Sequence, residues 1–359
     1  MTSENSATPK KRGAPARRRR RSALLDRVDT FLKDVRPQAS EQSATQYVRE
    51  LVVTAVRLLD DQTPLADVRL LNAAVRELRT AFRVFAQYRD VRKVTTFGSA
   101  RTPLNAPEYV QAKRFSQRIA NEGFMVITGA GGGIMRACQE GAGRERTFGV
   151  NIRLPFEQKA NDFIADDPKL VAFKYFFTRK LLFVKEADAV VLFPGGFGTL
   201  DEGYELLTLV QTGKAAPVPI IFLDAPGGDY WSMWRDAILE RLFHNGLISA
   251  EDFSLFKITD DVEEAVAEIL LFYRIFNSSR FVGERFVIRL NRSPSTEVLA
   301  RLHEDFGDLP VKGGFDVTGK LPEEEADETA ALPRLVFHFN RVNYGRLRQL
   351  IDFLNRSVP

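Results

Sequence analysis

Pro194-Gly195-Gly196-Phe197-Gly198-Thr199-Leu200-Asp201-Glu202 follows directly on Ala189-Val190-Val191-Leu192-Phe193. The apolar run is what a strand buried on both faces of a parallel sheet looks like. Beyond the glycines, Leu206, Leu207, Leu209 and Val210 continue at helical spacing. The stretch therefore reads as strand, loop and helix, with a loop nearly stripped of side chains. Such a joint points backbone N–H groups at an anion, and the helix N-terminus adds a favourable dipole. The Thr199 hydroxyl is a further donor. Asp201 and Glu202 place two carboxylates in the first helical turn. Asp201 reads equally well as a plain complement to the helix dipole. Glu202 is harder to explain that way, because an anion-binding loop is a poor place for added negative charge without a use.

Working outward, the pattern alternates as a doubly wound fold requires. A strand at Lys93–Phe97 runs into Gly98-Ser99-Ala100-Arg101, and a helix spans residues 107–121. A strand at Met125–Ile127 meets Thr128-Gly129-Ala130-Gly131-Gly132-Gly133, with a helix starting near Ile134-Met135. A strand over Phe148–Ile152 follows. Residues 154–170 read as irregular, leading to Phe173–Phe177 and a helix carrying Thr178-Arg179-Lys180. After the glycine joint comes a strand at Ile220–Leu223, then helices to about residue 273. One glycine-rich joint is weak evidence, because glycine is the default for any tight turn. The loop at 129–133 departs from the dinucleotide fingerprint, and no acidic residue follows on the next strand to hold a ribose. Two such loops at strand carboxyl ends point instead to a mononucleotide-sized ligand lying across both.

The 359 residues are 44% hydrophobic, enough for a large α/β domain with appendages. No apolar stretch reaches bilayer-spanning length and no signal-type h-region is seen, so the chain is expected to be cytoplasmic, without a membrane partner. Cys138 is the single cysteine, which excludes an intrachain disulfide and a cysteine-based metal site. The formal charge of +4 belongs to a tail. Residues 1–21 hold eight basic side chains against Glu4, so residues 22–359 carry a net −3. That tail is expected to be disordered, and nucleic acid could be a partner only through its five consecutive arginines. Within the body no basic run marks another phosphate site.

The expected organisation is a disordered basic tail and linker over 1–40 and a helical extension over 41–90. A doubly wound, mostly parallel Rossmann-like domain then covers 91–274, and a small α+β domain covers 275–359. In the extension, Val68, Leu71, Val75, Leu78, Phe82 and Phe85 form one helical face, expected to pack on the main domain or at a subunit contact. The C-terminal strands and helices, in the order β-α-β-β-α, suggest a ferredoxin-like unit. Its acidic stretch, from Glu323 to Glu328, reads as solvated.

Four linked segments resemble the Lonely Guy (LOG) family, long labelled "lysine decarboxylase-like". They are Thr128 to Met135, Asn151 to Gln158, Tyr175 to Lys180 and Pro194 to Glu202, and the resemblance covers about residues 91–260. It implies a Rossmann-like fold and hydrolysis of nucleoside 5′-monophosphates, such as AMP or cytokinin ribotides, to free base and ribose 5-phosphate. It implies catalytic roles for Arg179 and Glu202. Substrate and phosphate contacts are expected from Gly195, Gly196, Gly198, Thr199, Gly131, Gly132, Gly133, Ser99, Met135 and Lys180. No cofactor or metal is expected, and the assembly is expected to be a homodimer or larger homo-oligomer. Gly133-Ile134-Met135-Arg136 departs from the plant-type Gly-Leu-Met-Gly and is closer to bacterial members, which argues against a cytokinin preference.

The chemistry agrees with that implication. Cleaving an N-glycosidic bond develops positive charge on the ribose, which a carboxylate can stabilise while it positions or deprotonates water. A decarboxylase would need a lysine forming a Schiff base with pyridoxal phosphate, and Lys180 beside Arg179 shows no apolar setting for one. The histidines, His244, His303 and His338, lie near no glycine elbow, which disfavours a Ser-His-Asp hydrolase. The remaining alternative is a non-catalytic nucleotide or cofactor carrier on the same fold.

Overall fold

Seven parallel strands form the main sheet, in the order β4-β3-β2-β1-β5-β6-β7. They are β1 (Lys93–Phe97), β2 (Met125–Thr128), β3 (Thr147–Ile152), β4 (Leu170–Phe173), β5 (Ala189–Leu192), β6 (Ile220–Leu223) and β7 (Lys257–Thr259). The computed structural model describes residues 25–34, 43–153, 160–324 and 329–358. The expected tail over residues 1–22, residues 154–158 of the second family segment, and Glu325, Asp327 and Glu328 lie outside them. The chain divides into two units, residues 1–75 and 76–359.

The first unit holds α1 (residues 25–34), α2 (Ser43–Asp60) and the start of α3 (Leu65–Phe85). Arg49 of α2 pairs with Asp29 of α1 at 2.5 Å. Along α3 the wide apolar stripe is only partly used. Ala74, Ala81 and Phe85 are buried, whereas Leu71, Val75 and Phe82 stay exposed. Small side chains at the 74 and 81 positions permit close approach, so the buried face is narrower than the apolar residues alone imply.

In the second unit the strand order reverses between β1 and β5, so the carboxyl ends of these two strands flank a crevice. The central strands β2, β5 and β6 are buried along their length, as their unbroken apolar runs require. Side chains alternate between the two faces. Val191 and Ile221 pack under α4 (Pro107–Asn121), α5 (Ile134–Ala142) and α10 (Val262–Phe272). Leu192 and Phe222 pack with Leu206 of α7 (Phe197–Gln211) and with Trp231 and Trp234. The two tryptophans lie in α8 (Tyr230–Trp234), which continues through a π-helical turn into α9 (Glu240–His244). Beneath β2 and β3 lie Ala81 and Phe85 of α3 with Leu182 and Phe183 of α6 (Phe176–Lys185). Strands β4 and β7, the two sheet edges, are absent from the sequence reading. Each has few residues and a partly exposed face, so neither shows the run that marked β5.

The C-terminal part adds a four-stranded antiparallel sheet, β10-β11-β9-β8. Its elements run β8 (Phe276–Val282), β9 (Arg285–Leu290), α11 (Thr296–Asp305), β10 (Asp316–Thr318), β11 (Arg334–Phe337) and α12 (Tyr344–Ser357). This is the ferredoxin-like strand arrangement with the edge strand at the front of the chain, a strand the sequence reading lacks. The alternation in β8 is weak because most of its residues are only half-buried. Glu324 corrects the picture of a solvated acidic stretch. It is fully buried, with Arg280 at 2.8 Å, Arg289 at 3.0 Å and Arg334 at 3.1 Å. Burial pushes its carboxyl up, but the Leu321 amide and the guanidinium groups outweigh that and hold it at about 2.

Candidate active site

Three loops meet at the switch point, and their glycines are there for two different reasons. Ser99 N–H donates to the Pro194 carbonyl at 3.2 Å, and Ile134 N–H donates to the Ser99 carbonyl at 3.0 Å. The loop after β1 thus ties the other two together. A Cβ on Gly195 would lie 2.2 Å from Thr199 Oγ1, and one on Gly133, at φ +56°, would lie 2.2 Å from the Ser99 carbonyl oxygen. Gly133, with Gly132 against the Ala100 carbonyl, is glycine because backbone meets backbone, and Gly195 because the Thr199 side chain and the Ser99 amide fill the space. Gly196 and Gly198 differ. A Cβ there would meet nothing within 4 Å, and both line a cavity of about 760 Å³. Their bareness leaves room for something other than this chain. The α7 ladder opens with the Thr199 and Leu200 amides donating to the Gly196 carbonyl at 3.0 and 3.1 Å, so the Phe197 and Gly198 amides stand ahead of it at the helix N-terminus, and both residues line the same space. Tyr230 secures the loop from behind, its hydroxyl donating to the Gly195 carbonyl at 2.6 Å.

Of the residues singled out in the sequence, the structure brings Ser99, Gly131, Met135, Arg179, Gly196, Gly198, Thr199 and Glu202 to the cavity wall. Gly132, Gly133, Gly195 and Lys180 are not part of that wall. The three glycines shape the loops from behind. The Lys180 ammonium is held by Glu205 at 2.7 Å, Asp201 at 2.8 Å and Glu202 at 3.4 Å. Burial works against its charge, but those hydrogen bonds raise its pKa above the usual lysine value, the reverse of what a Schiff-base lysine needs. Asp201 is exposed and serves Lys180. The wall also contains Arg101, Asn151 and Phe176. Arg101 had a signal, since it follows the Gly98-Ser99 turn of a strand carboxyl end.

Glu202 sits one turn into α7 and is 7% exposed. Its carboxylate faces the Arg179 guanidinium at 3.7 Å. Burial raises its pKa, and Lys180 and Arg179 pull the other way without cancelling the rise. Arg179 is itself lowered by burial, opposed by Glu202 and Asp201. Its Nε is buried without a hydrogen-bond partner among the described residues. Phe176 and Phe183, one turn to either side on α6, place their rings 5.0 and 5.4 Å from the guanidinium. An arginine that lines the cavity beside a carboxylate is suited to a polar ligand.

Glu77, which sequence reasoning missed, fixes where α6 begins. It lies on α3, and its carboxylate accepts from the Lys174 amide and the Thr178 hydroxyl, each at 2.8 Å. Tyr175, the N-cap of α6, makes no side-chain cap, and Glu77 instead ties the residue before the cap and the first turn to α3. Glu77→Ala is expected to cost about 1 kcal/mol, read as a lower urea midpoint. A midpoint equal to the parent's would show that the two hydrogen bonds contribute nothing.

Residues 132–269 match the family model described as "Possible lysine decarboxylase". A protein of Mycobacterium tuberculosis named cytokinin riboside 5′-monophosphate phosphoribohydrolase is 27% identical over 172 residues, covering 46% of this chain and 88% of that protein. Among solved structures, a structural-genomics target is 25% identical and covers 50% of this chain and 99% of its own, with a TM-score of 0.36. The molybdenum cofactor binding protein of Rippkaea orientalis is 21% identical and covers 50% and 94%, with a TM-score of 0.35.

Proposed function

We propose that this chain, whose residues 132–269 match that family model and whose motifs resemble the LOG family, hydrolyses the N-glycosidic bond of nucleoside 5′-monophosphates to free base and ribose 5-phosphate. The observation that carries the reading is the buried Glu202 carboxylate facing Arg179 in a cavity walled by phosphate-type loops. The 5′-phosphate lies against the first-turn amides of α7 and the Thr199 hydroxyl. There the helix dipole favours a dianion without the desolvation cost of a buried cation. The ribose then spans towards Glu202. As the bond from C1′ to the base nitrogen breaks, positive charge grows on the ring, and the carboxylate is positioned to stabilise it. Water attacks C1′; its proton passes to Glu202, and the departing base takes up a proton. Arg179, at the cavity wall, orients the carboxylate and hydrogen-bonds the sugar or phosphate through its guanidinium. The cavity of about 760 Å³ lies in the range of small-molecule sites and accommodates a mononucleotide.

AMP is expected to be cleaved about a hundredfold more efficiently than adenosine, the effect of roughly one to two charge-assisted hydrogen bonds. The measurement is kcat/KM for adenine release from each. Equal values would mean that the loops do not read phosphate. Binding of AMP without any adenine release would instead identify a nucleotide carrier.

A further inference from the structure

A second cleft, of about 590 Å³, opens between β7 and α10 on one side and α11 and α12 on the other. It shares no lining residue with the first cavity. Four cationic side chains line it, Lys257, Arg301, Arg348 and Arg356, against two carboxylates, Glu268 and Asp352. Both carboxylates are already engaged. Arg348 reaches Glu268 at 2.6 Å and Asp352 at 2.9 Å, and Lys257 lies 3.7 Å from Glu268 and 2.9 Å from Glu264, which is outside the cleft. Arg301 meets Asp305, outside the cleft, at 3.8 Å, and its guanidinium lies 4.8 Å over the Phe353 ring. Arg356 makes no ion pair among the described residues. The buried Nη1 of Arg348 has no hydrogen-bond partner among the described residues.

The cleft lining thus carries four cations and two carboxylates, with Glu264 and Asp305 outside it offsetting Lys257 and Arg301. No basic run announces it, because the four cations come from segments up to 99 residues apart. Arg356 and the Nη1 of Arg348 keep donors that none of these carboxylates takes up, and an incoming anion would satisfy them. Guanidinium forks match the tetrahedral oxygens of phosphate, and the concave shape suits a small molecule over an extended polymer. We infer that this cleft binds a small phosphate-bearing anion, gripped by Arg301, Arg356 and Lys257 above a floor fixed by Arg348. The position gives such a ligand a route to the first cavity. The Tyr344 ring, at the start of α12, packs so closely on Gly213, just beyond α7, that a Cβ there would lie 1.9 Å from Cζ. Helix α7 carries Glu202 at its other end.

Hydrogen–deuterium exchange of the full chain with and without pyrophosphate tests the assignment. Exchange is expected to slow in residues 254–259 and 348–357. In Arg301→Ala/Arg356→Ala, which removes two exposed side chains, half-maximal protection of these segments should require about tenfold more pyrophosphate. Unchanged exchange elsewhere in the variant confirms that it is folded. Protection confined to residues 98–101, 129–133 and 195–199, or undiminished protection of 348–357 in the double variant, would overturn the site. Equal protection by citrate would overturn the assignment to phosphate, since charge alone would then suffice.

Discussion

Glu202→Gln is expected to lower kcat for adenine release from AMP by about a thousandfold, with little change in nucleotide affinity. The carboxylate meets positive charge that exists only in the transition state, so its loss falls on kcat and not on binding. Stability should not follow activity. Burial raises the Glu202 pKa, so the folded state favours the protonated form more than the unfolded chain does. Above that raised pKa the ionised carboxylate works against folding, and an isosteric neutral amide removes the penalty. The variant is expected to melt at or above the parent's temperature at neutral pH. The same shift sets the acid limb of the parent's pH profile. Base release needs the carboxylate, so activity falls as pH drops through a value higher than an ordinary glutamate's. Near-parental turnover in a folded Glu202→Gln protein would remove Glu202 from the chemistry.

Arg179→Ala is expected to reduce kcat/KM by about a hundredfold, and Arg179→Lys to recover little of it. The guanidinium lies 5.0 and 5.4 Å from the Phe176 and Phe183 rings, with Nη2 towards Glu202. A lysine ammonium in that place would keep the charge but lose the fork that serves two acceptors at once. Removing the positive charge also removes one of the groups that hold the Glu202 pKa down, so the acid limb of Arg179→Ala should move further up in pH. Full activity in Arg179→Lys would show that a point charge is all the site requires.

Both residues were singled out from the sequence, but on different grounds. Glu202 stands a fixed number of residues after a glycine loop that follows an apolar strand, so local geometry alone brings it to the strand's carboxyl end. Arg179 was legible only through the resemblance of its segment, since an arginine on a helix is otherwise an ordinary surface residue. Glu77 had no signal at all. Its role exists only because α3 passes beside the start of α6, and 97 residues separate it from Lys174.

The sequence by itself determined the parallel sheet, the glycine joints at its switch point and the carboxylate behind one of them. Those features rest on short-range periodicity and on backbone shapes that few residues besides glycine adopt. Tertiary structure decided what depends on distant segments meeting. It turned Lys180 from a phosphate ligand into the partner of three carboxylates, and it buried Glu324 among arginines. It made Gly195 and Gly133 packing requirements while leaving Gly196 and Gly198 bare for a ligand. It also assembled a cationic cleft from four separated segments. Charge and burial are properties of neighbourhoods, and the chain acquires its neighbourhoods only by folding.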